Sequence, residues 1–174
     1  MSWYRETIFD FDAGRERIRA RRYGVIEIVG GTLRAVHLQP WPKMFSLSEL
    51  WPVTLRYHAR GDADRCLLYY NQPWRQRNFL ALKYIVSTAG TSYRTFRAAL
   101  VVLDAIAELK RTDAMVCDAA NLRITDRLLA RFGWEAHKPQ RWHRNYIRRF
   151  YGTYPTVAVP RLPPTVLNAS IAGA

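Results

Sequence analysis

The segment that most limits the possible folds of this chain runs from residue 79 to residue 117. Residues 79–86 form its longest run with strand character, and an amphipathic helix is predicted over 93–110 with Ser92 as its N-cap. Residues 114–117 then form a short apolar strand. Because parallel strands joined by a helix need a right-handed crossover, the segment is predicted to form a βαβ unit.

The preceding half of the chain has β character. Residues 25–29 and 33–38 are apolar, β-branched runs around Gly30-Gly31-Thr32, which predicts a hairpin. Residues 53–58 and 66–70 are two further predicted strands, separated by a turn over 61–64. After the βαβ unit, a second helix is expected from Asn121 to Gly133 and one more strand over 134–137.

The length of 174 residues suits one domain, and 49% hydrophobic residues supply a core. Residues 1–23 are predicted to be a basic arm or helix, and 24–152 the folded domain. Residues 153–174 contain four prolines and a single charge, which indicates an extended tail that either wraps the surface or is disordered.

The order of segments between residues 81 and 137 resembles the GNAT acetyltransferase family. The resemblance includes the strand end Ile85-Val86, a turn of small residues over 87–92, the amphipathic helix and the short strand. It also includes Asn121, followed by Arg131-Phe132-Gly133-Trp134, which is similar to the family's "Asn … Lys-x-Gly-Phe" ending. The resemblance covers about a third of the chain and implies an α/β (α+β) fold, a mixed, mostly antiparallel twisted sheet with helices packed on it.

The resemblance also implies an activity, transfer of an acyl group from acetyl- or another acyl-coenzyme A to an amine of a small molecule or protein. A turn of small residues at a helix N-terminus directs unpaired N–H groups at one place, where the family holds the cofactor's pyrophosphate. The implied cofactor contacts are Val86, Ser87, Thr88, Gly90, Thr91, Ser92, Arg94 and Asn121.

The candidates for proton transfer are Tyr84, on the predicted strand, and Asp118, after the short strand. Each residue also has an ordinary structural explanation, Tyr84 as a packing residue and Asp118 as a helix cap. The sequence departs from the family at two places. The turn has one glycine and no basic residue at its start, and Leu129 stands where the family commonly has a tyrosine acid.

The charge balance suggests an alternative function. Lysine and arginine number 27 against 14 acids, a net charge of +13 that attracts anions, including nucleic acid or tRNA. Aromatic residues alternate with arginines over 142–151, a composition suited to single-stranded nucleic acid, although solvated arginines beside core aromatics would look the same. The alternative is a catalytically inactive nucleic-acid-binding or protein-interaction module that uses Arg141, Trp142, Arg144, Arg148 and Arg149.

The two cysteines, Cys66 and Cys117, lie in apolar runs and far apart in the chain. This placement indicates reduced, buried thiols in a cytoplasmic protein and no metal site. The N-terminus lacks the apolar stretch of a signal peptide, and no run of 18 apolar residues predicts a membrane span.

Overall fold

A computed structural model describes residues 6–40, 64–88, 90–118, 125–138, 144–156 and 158–160. The strands are β1 (Glu6–Ile8), β2 (Tyr23–Val29), β3 (Thr32–Gln39), β4 (Arg65–Asn71), β5 (Phe79–Ser87), β6 (Ala114–Asp118), β7 (Glu135–Ala136) and β8 (Asn145–Arg149). The helices are α1 (Arg15–Ala20), α2 (Tyr93–Leu109) and α3 (Asp126–Ala130).

The strands form one sheet in the order β1-β3-β2-β4-β5-β6-β8-β7. Among the described strands, β5 and β6 are the one parallel pair, and every other neighbouring pair is antiparallel. The mixed, mostly antiparallel sheet with a βαβ unit is therefore confirmed. The predicted hairpin is also confirmed: Gly30 and Gly31 both have positive φ, a conformation that glycine adopts without a Cβ clash.

Helix α2 covers one face of the sheet and supplies much of the core. Its N-cap is Ser92, whose hydroxyl accepts a hydrogen bond from the Thr95 amide, as the sequence predicts. The helix contacts β2, β3 and β4. The large apolar side chains that it buries completely are Leu100, Val102, Leu103 and Ile106.

The chain outside the central segment adds further elements. Strand β1 extends the sheet beside β3, and α1 contacts α2 within the predicted arm or helix of residues 1–23. The predicted strand over 53–58 and residues 161–174 of the predicted tail lie outside the described residues. Pro160, within that tail, accepts a hydrogen bond through its carbonyl from the Leu33 amide. The domain boundaries remain predictions.

Two later elements differ from the sequence prediction. A second helix was expected from Asn121 to Gly133, whereas the described residues form the shorter α3, which has Thr125 as its N-cap and ends at Ala130; residues 119–124 lie outside the described residues. The basic aromatic run contains β8, which pairs with β6 on one side and β7 on the other. No helix in the described part of the chain is long and apolar enough to span a membrane.

Candidate functional site

The parallel strands β5 and β6 separate partway along their length. They pair from Phe79 opposite Ala114 to Leu82 opposite Cys117, and β5 then continues to Ser87 without β6. On the other side of β5, Tyr69 pairs with Tyr84 and Tyr70 pairs with Leu82, so Lys83 is an extra residue. Such a bulge bends a strand and increases its twist. Among the described residues, β5 therefore has no strand partner on its β6 side beyond Leu82, and we call this opening the wedge.

The two candidates for proton transfer flank this opening. Tyr84 lies two residues past the last paired position of β5, is 38% exposed, and contacts Tyr69 edge-on at 6.4 Å between ring centroids. Asp118 is the exposed last residue of β6 and lies opposite Asn145. Strand alternation places both residues on the face of the sheet opposite α2, because their neighbours Ile85 and Cys117 pack into the α2-side core.

The turn over 87–92 joins β5 to α2, and its two threonine hydroxyl groups have partners within the chain. The Thr88 and Thr91 hydroxyls lie 3.0 Å apart, and the Thr91 hydroxyl donates to the Arg65 carbonyl at 2.8 Å. Thr88 is buried, and its amide also donates to the Arg65 carbonyl. These hydroxyl groups therefore hold the turn against the first residue of β4.

The N-terminus of α2 already binds a carboxylate from the same chain. One oxygen of Asp64 accepts from the Ser92 amide and the other accepts from the Ser92 hydroxyl, each at 2.7 Å. Burial is the largest influence on this group and acts to raise its pKa. The hydrogen bonds from Ser92 and Thr95, with the charge of Arg94, outweigh it and hold the pKa of Asp64 below its ordinary value. Asp64 therefore occupies part of the predicted anion site.

Arg94 is fixed close to this carboxylate. Its side chain packs against the hairpin turn, so that a Cβ added at Gly31 would lie 2.6 Å from the Arg94 Cγ. The Asp64 carbonyl accepts from the Gly30 amide at 2.8 Å, which ties the same turn to the start of β4. The hairpin, the carboxylate and the helix start thus form one connected unit.

Donors remain at the helix start despite Asp64. The first intrahelical hydrogen bond runs from the Phe96 amide to the Ser92 carbonyl, so the amides of Tyr93 and Arg94 precede the helical ladder. Gly90 faces open space, because a Cβ built there meets no atom within 4 Å. Val86 and Ser87 are half-buried at the end of β5. These positions provide room and donors for a phosphate, and Asn121 lies outside the described residues.

A second polar cluster connects α3 to β8. The Tyr146 hydroxyl donates to the Asp126 carboxylate at 2.5 Å, and Arg144 donates to the same oxygen at 2.7 Å. Burial, followed by the bond to Asp126, raises the pKa of Tyr146, so this phenol stays protonated at neutral pH. Tyr146 lies opposite Cys117 on the α2 side of the sheet. This cluster is not apparent from the sequence, because Asp126 lies 18 positions before Arg144 and 20 positions before Tyr146.

Three arginines of the alternative nucleic-acid surface have acidic partners. Arg144 pairs with Asp126, Arg148 with Asp104, and Arg149 with Glu135. The Arg148 pair is buried, with side-chain exposures of 14% and 8%. The other two residues of that prediction, 141 and 142, lie outside the described part of the chain. Nucleic-acid binding through this surface remains a prediction, and it would require these arginines to leave their acids.

Asp64 is likewise absent from the predicted site residues, although the sequence contains a signal for it. It is the last residue of the turn predicted over 61–64 and immediately precedes β4. Because β4 and β5 are antiparallel, the start of β4 lies beside the end of β5, where the predicted anion site begins.

Comparison with known proteins finds similarity at the level of structure. No protein-family model and no curated protein matches the sequence. A crystal structure of a nourseothricin acetyltransferase is similar with a TM-score of 0.43 and 12% identity, over 83% of this chain and 98% of that chain.

Proposed function

We propose that this protein is an acyltransferase that moves an acyl group from acyl-coenzyme A, such as acetyl-coenzyme A, to an amine of a small molecule or protein. The observation that supports the proposal is the separation of β5 and β6 at the Lys83 bulge. Helix α2 begins at the open end of the same wedge. This geometry creates a gap in a sheet, lined by strand backbone, with helix donors at one end.

The residues of the wedge would divide the work between binding and proton transfer. The amides of Tyr93 and Arg94, with the open space at Gly90, would hold cofactor phosphates. In the reaction, the amine nitrogen forms a bond to the acyl carbon while the bond from that carbon to sulfur breaks. The amine loses a proton, and the departing sulfur gains one. We assign Asp118 and Tyr84 to these proton transfers because they flank the opening.

The fit to the phosphates is partial because Asp64 binds at the same helix start. A phosphate that approaches the Ser92 amide meets a carboxylate 2.7 Å from that nitrogen. Affinity for the cofactor would therefore come mainly from the wedge and from the remaining helix amides. We expect acetyl-coenzyme A to bind more weakly than it would to an unoccupied helix N-terminus.

Calorimetry with acetyl-coenzyme A tests the binding step directly. We expect saturable binding to the full chain, whereas absence of heat at about 1 mM cofactor, a free energy near −4 kcal/mol, would overturn the proposal. The inactive interaction module would then be the better description.

The chemical step is tested by thiol release with a panel of amines. Tyr84→Phe and Asp118→Asn should each lower the rate by roughly 10²-fold or more with little change in cofactor affinity. Tyr151→Phe is the matched control, because Tyr151 is 78% exposed and follows β8 at the other end of the sheet. Equal rates in all variants would remove both residues from the mechanism.

A further inference from the structure

A group of cations lies at the end of the sheet opposite the wedge. Three segments meet there: the end of α1 with the start of β2, the loop between β4 and β5, and the end of α2. Hydrogen bonds join them, from the Gln72 amide to the Arg22 carbonyl and from the Asp113 amide to the Asn78 carbonyl. We define the cationic end as Arg19, Arg21, Arg22, Arg75, Arg77, Lys110 and Arg111.

Lys110 holds the cationic end together. As the C-cap of α2, it donates through Nζ to the Arg19 carbonyl at 3.1 Å and to the Arg21 carbonyl at 2.5 Å. Burial, followed by repulsion from Arg22, lowers the pKa of Lys110 to about 8. The fold therefore holds Lys110 close to Arg22 although the two positive charges repel each other.

Among the described residues, these cations have no acidic partner, unlike the arginines of β8 and its flank. Within the described part of the chain, no residue of the cationic end forms an ion pair, whereas all three described arginines of β8 and its flank do. Two exposed acids lie nearby, Glu108 and Asp113, and Asp113 accepts a hydrogen bond from the Asn78 side chain. The local charge is therefore strongly positive and open to an external anion.

Trp74 adds an exposed aromatic surface to these charges. Its side chain is 72% exposed, and the Arg22 guanidinium lies 3.9 Å from the ring centroid. The Nη1 of Arg22 is buried and has no hydrogen-bond acceptor among the described residues. The Arg22 guanidinium packs on one face of the indole ring. Because the side chain is so exposed, the ring can also stack with a planar group of a ligand. Arg75 and Arg77 follow Trp74 in the same loop and are both exposed.

We propose that the cationic end binds single-stranded nucleic acid, with a base stacked on Trp74 and phosphates on Arg75, Arg77 and their neighbours. Single-stranded nucleic acid requires a planar aromatic platform beside a row of cations, and arginine binds phosphate through two parallel N–H groups. An anionic lipid surface would use the charges but has no base to stack. This site is separate from the wedge and from the β8 arginines.

Fluorescence anisotropy with a fluorescein-labelled oligo-dU or oligo-dT of about 12 nucleotides tests the proposal. We expect Trp74→Ala to weaken binding by about fivefold to 100-fold, the usual effect of losing one base–aromatic stack, and Trp74→Phe to retain most of the affinity. Phe9→Ala is the matched control, because Phe9 is 67% exposed and follows β1 toward the other end of the sheet. Urea unfolding of each variant separates a lost contact from a lost fold.

The charges are tested by the salt dependence of the same binding. Neutralising Arg75 and Arg77 together with glutamine should reduce the slope of log K against log salt by about 1.4, that is about 0.7 for each phosphate contact. The control is Arg34→Gln with Arg127→Gln, which removes the same charge. Both arginines are exposed, lie outside the cationic end and form no ion pair with any described residue.

Three results would overturn the proposal. The first is that no oligonucleotide binds at low salt. The second is that the target and control variants lose the same affinity for the oligonucleotide. The third is that phosphatidylserine vesicles bind as tightly as the oligonucleotide and that Trp74→Ala does not change their binding. Excess acetyl-coenzyme A should leave the bound oligonucleotide in place. Because no coenzyme A is needed in these assays, their failure is distinguishable from failure of the proposed acyltransferase.

Discussion

Removal of the Asp64 carboxylate should change stability and cofactor affinity in opposite directions. In the folded chain this group accepts two hydrogen bonds of 2.7 Å from Ser92 and places a negative charge at the positive end of α2. Losing a carboxylate from a helix N-terminus costs about 0.3–1 kcal/mol, and each of the two hydrogen bonds to this partly exposed group contributes about 0.5 kcal/mol. We therefore expect Asp64→Ala to lower the free energy of unfolding by about 1–2 kcal/mol.

The same free energy acts against a ligand in the wild-type protein. A phosphate that takes the Ser92 donors must first displace the carboxylate, so its binding is weakened by about 1–2 kcal/mol. Removal of Asp64 should then tighten binding of acetyl-coenzyme A by about fivefold to 30-fold. Asp64→Asn should tighten it less, because the amide oxygen still accepts from the Ser92 amide.

Urea unfolding and calorimetry on the same preparations measure both effects. Pantetheine, which lacks phosphate, should bind Asp64→Ala and the wild type equally, and inorganic pyrophosphate should follow the cofactor. Glu108→Gln removes an equal charge at the exposed far end of α2 and should change neither quantity appreciably. If Asp64→Ala loses stability but binds both phosphate ligands no better than the wild type, the carboxylate and the ligands do not share a site.

The pH dependence of unfolding provides an independent check of the Asp64 contacts. Because the folded-state pKa of Asp64 lies below its ordinary value of 3.8, its contribution is fully present above that value. The contribution is lost as the pH falls through the lowered folded-state pKa. The stability difference between the wild type and Asp64→Ala should therefore be constant near neutral pH and shrink in acid.

Further predictions concern the turn, a buried acid and the thiols. Gly31→Ala should lose more stability than Gly30→Ala in urea unfolding: both residues have positive φ, but only the Cβ at position 31 meets the Arg94 side chain. Burial raises the pKa of Asp104 to about 6, so the folded state binds a proton before the unfolded chain does. Between pH 7 and about 4.5, the wild type should therefore gain about 2 kcal/mol relative to Asp104→Asn, and a pH-independent difference would contradict this reasoning. Burial raises the pKa of both cysteine thiols to about 12, so neither should react with a disulfide reagent at pH 8 until the protein unfolds.

The sequence predicted those elements of the fold whose signals are local. The hairpin at Gly30 and Gly31 and the start of α2 at Ser92 each depend on residues a few positions apart. The parallel pairing of β5 with β6 followed from the helix between them and the length of the crossover. In each case neighbouring residues determine the backbone conformation, and the rest of the chain only has to be compatible with it.

The site was harder to predict because its contacts are non-local. Asp64 and Ser92 are 28 positions apart in the chain, and the antiparallel pairing of β4 with β5 brings them together. The register of that pairing cannot be predicted from the sequence. Arg148 looked like a solvated member of a basic run, yet Asp104 on α2 binds it in the interior. A charged residue in a strand can face the core only when a partner from another element is present. That partner becomes visible only after the tertiary fold is known.

The distribution of partners, more than the net charge of +13, determines where an anion should bind this protein. The helix start has the backbone geometry for a phosphate, but Asp64 supplies the negative charge there internally. Among the described residues, the cationic end contains no helix start, but its cations form no ion pair and Trp74 is exposed. A flexible polyanion binds most tightly where positive charges have no acidic partner, because binding there releases counterions. It should therefore prefer the cationic end. A small ligand with a fixed shape should bind most tightly in the wedge, because the strand backbone and the helix amides are already oriented there. The two proposed ligands should therefore bind at opposite ends of one sheet without competing.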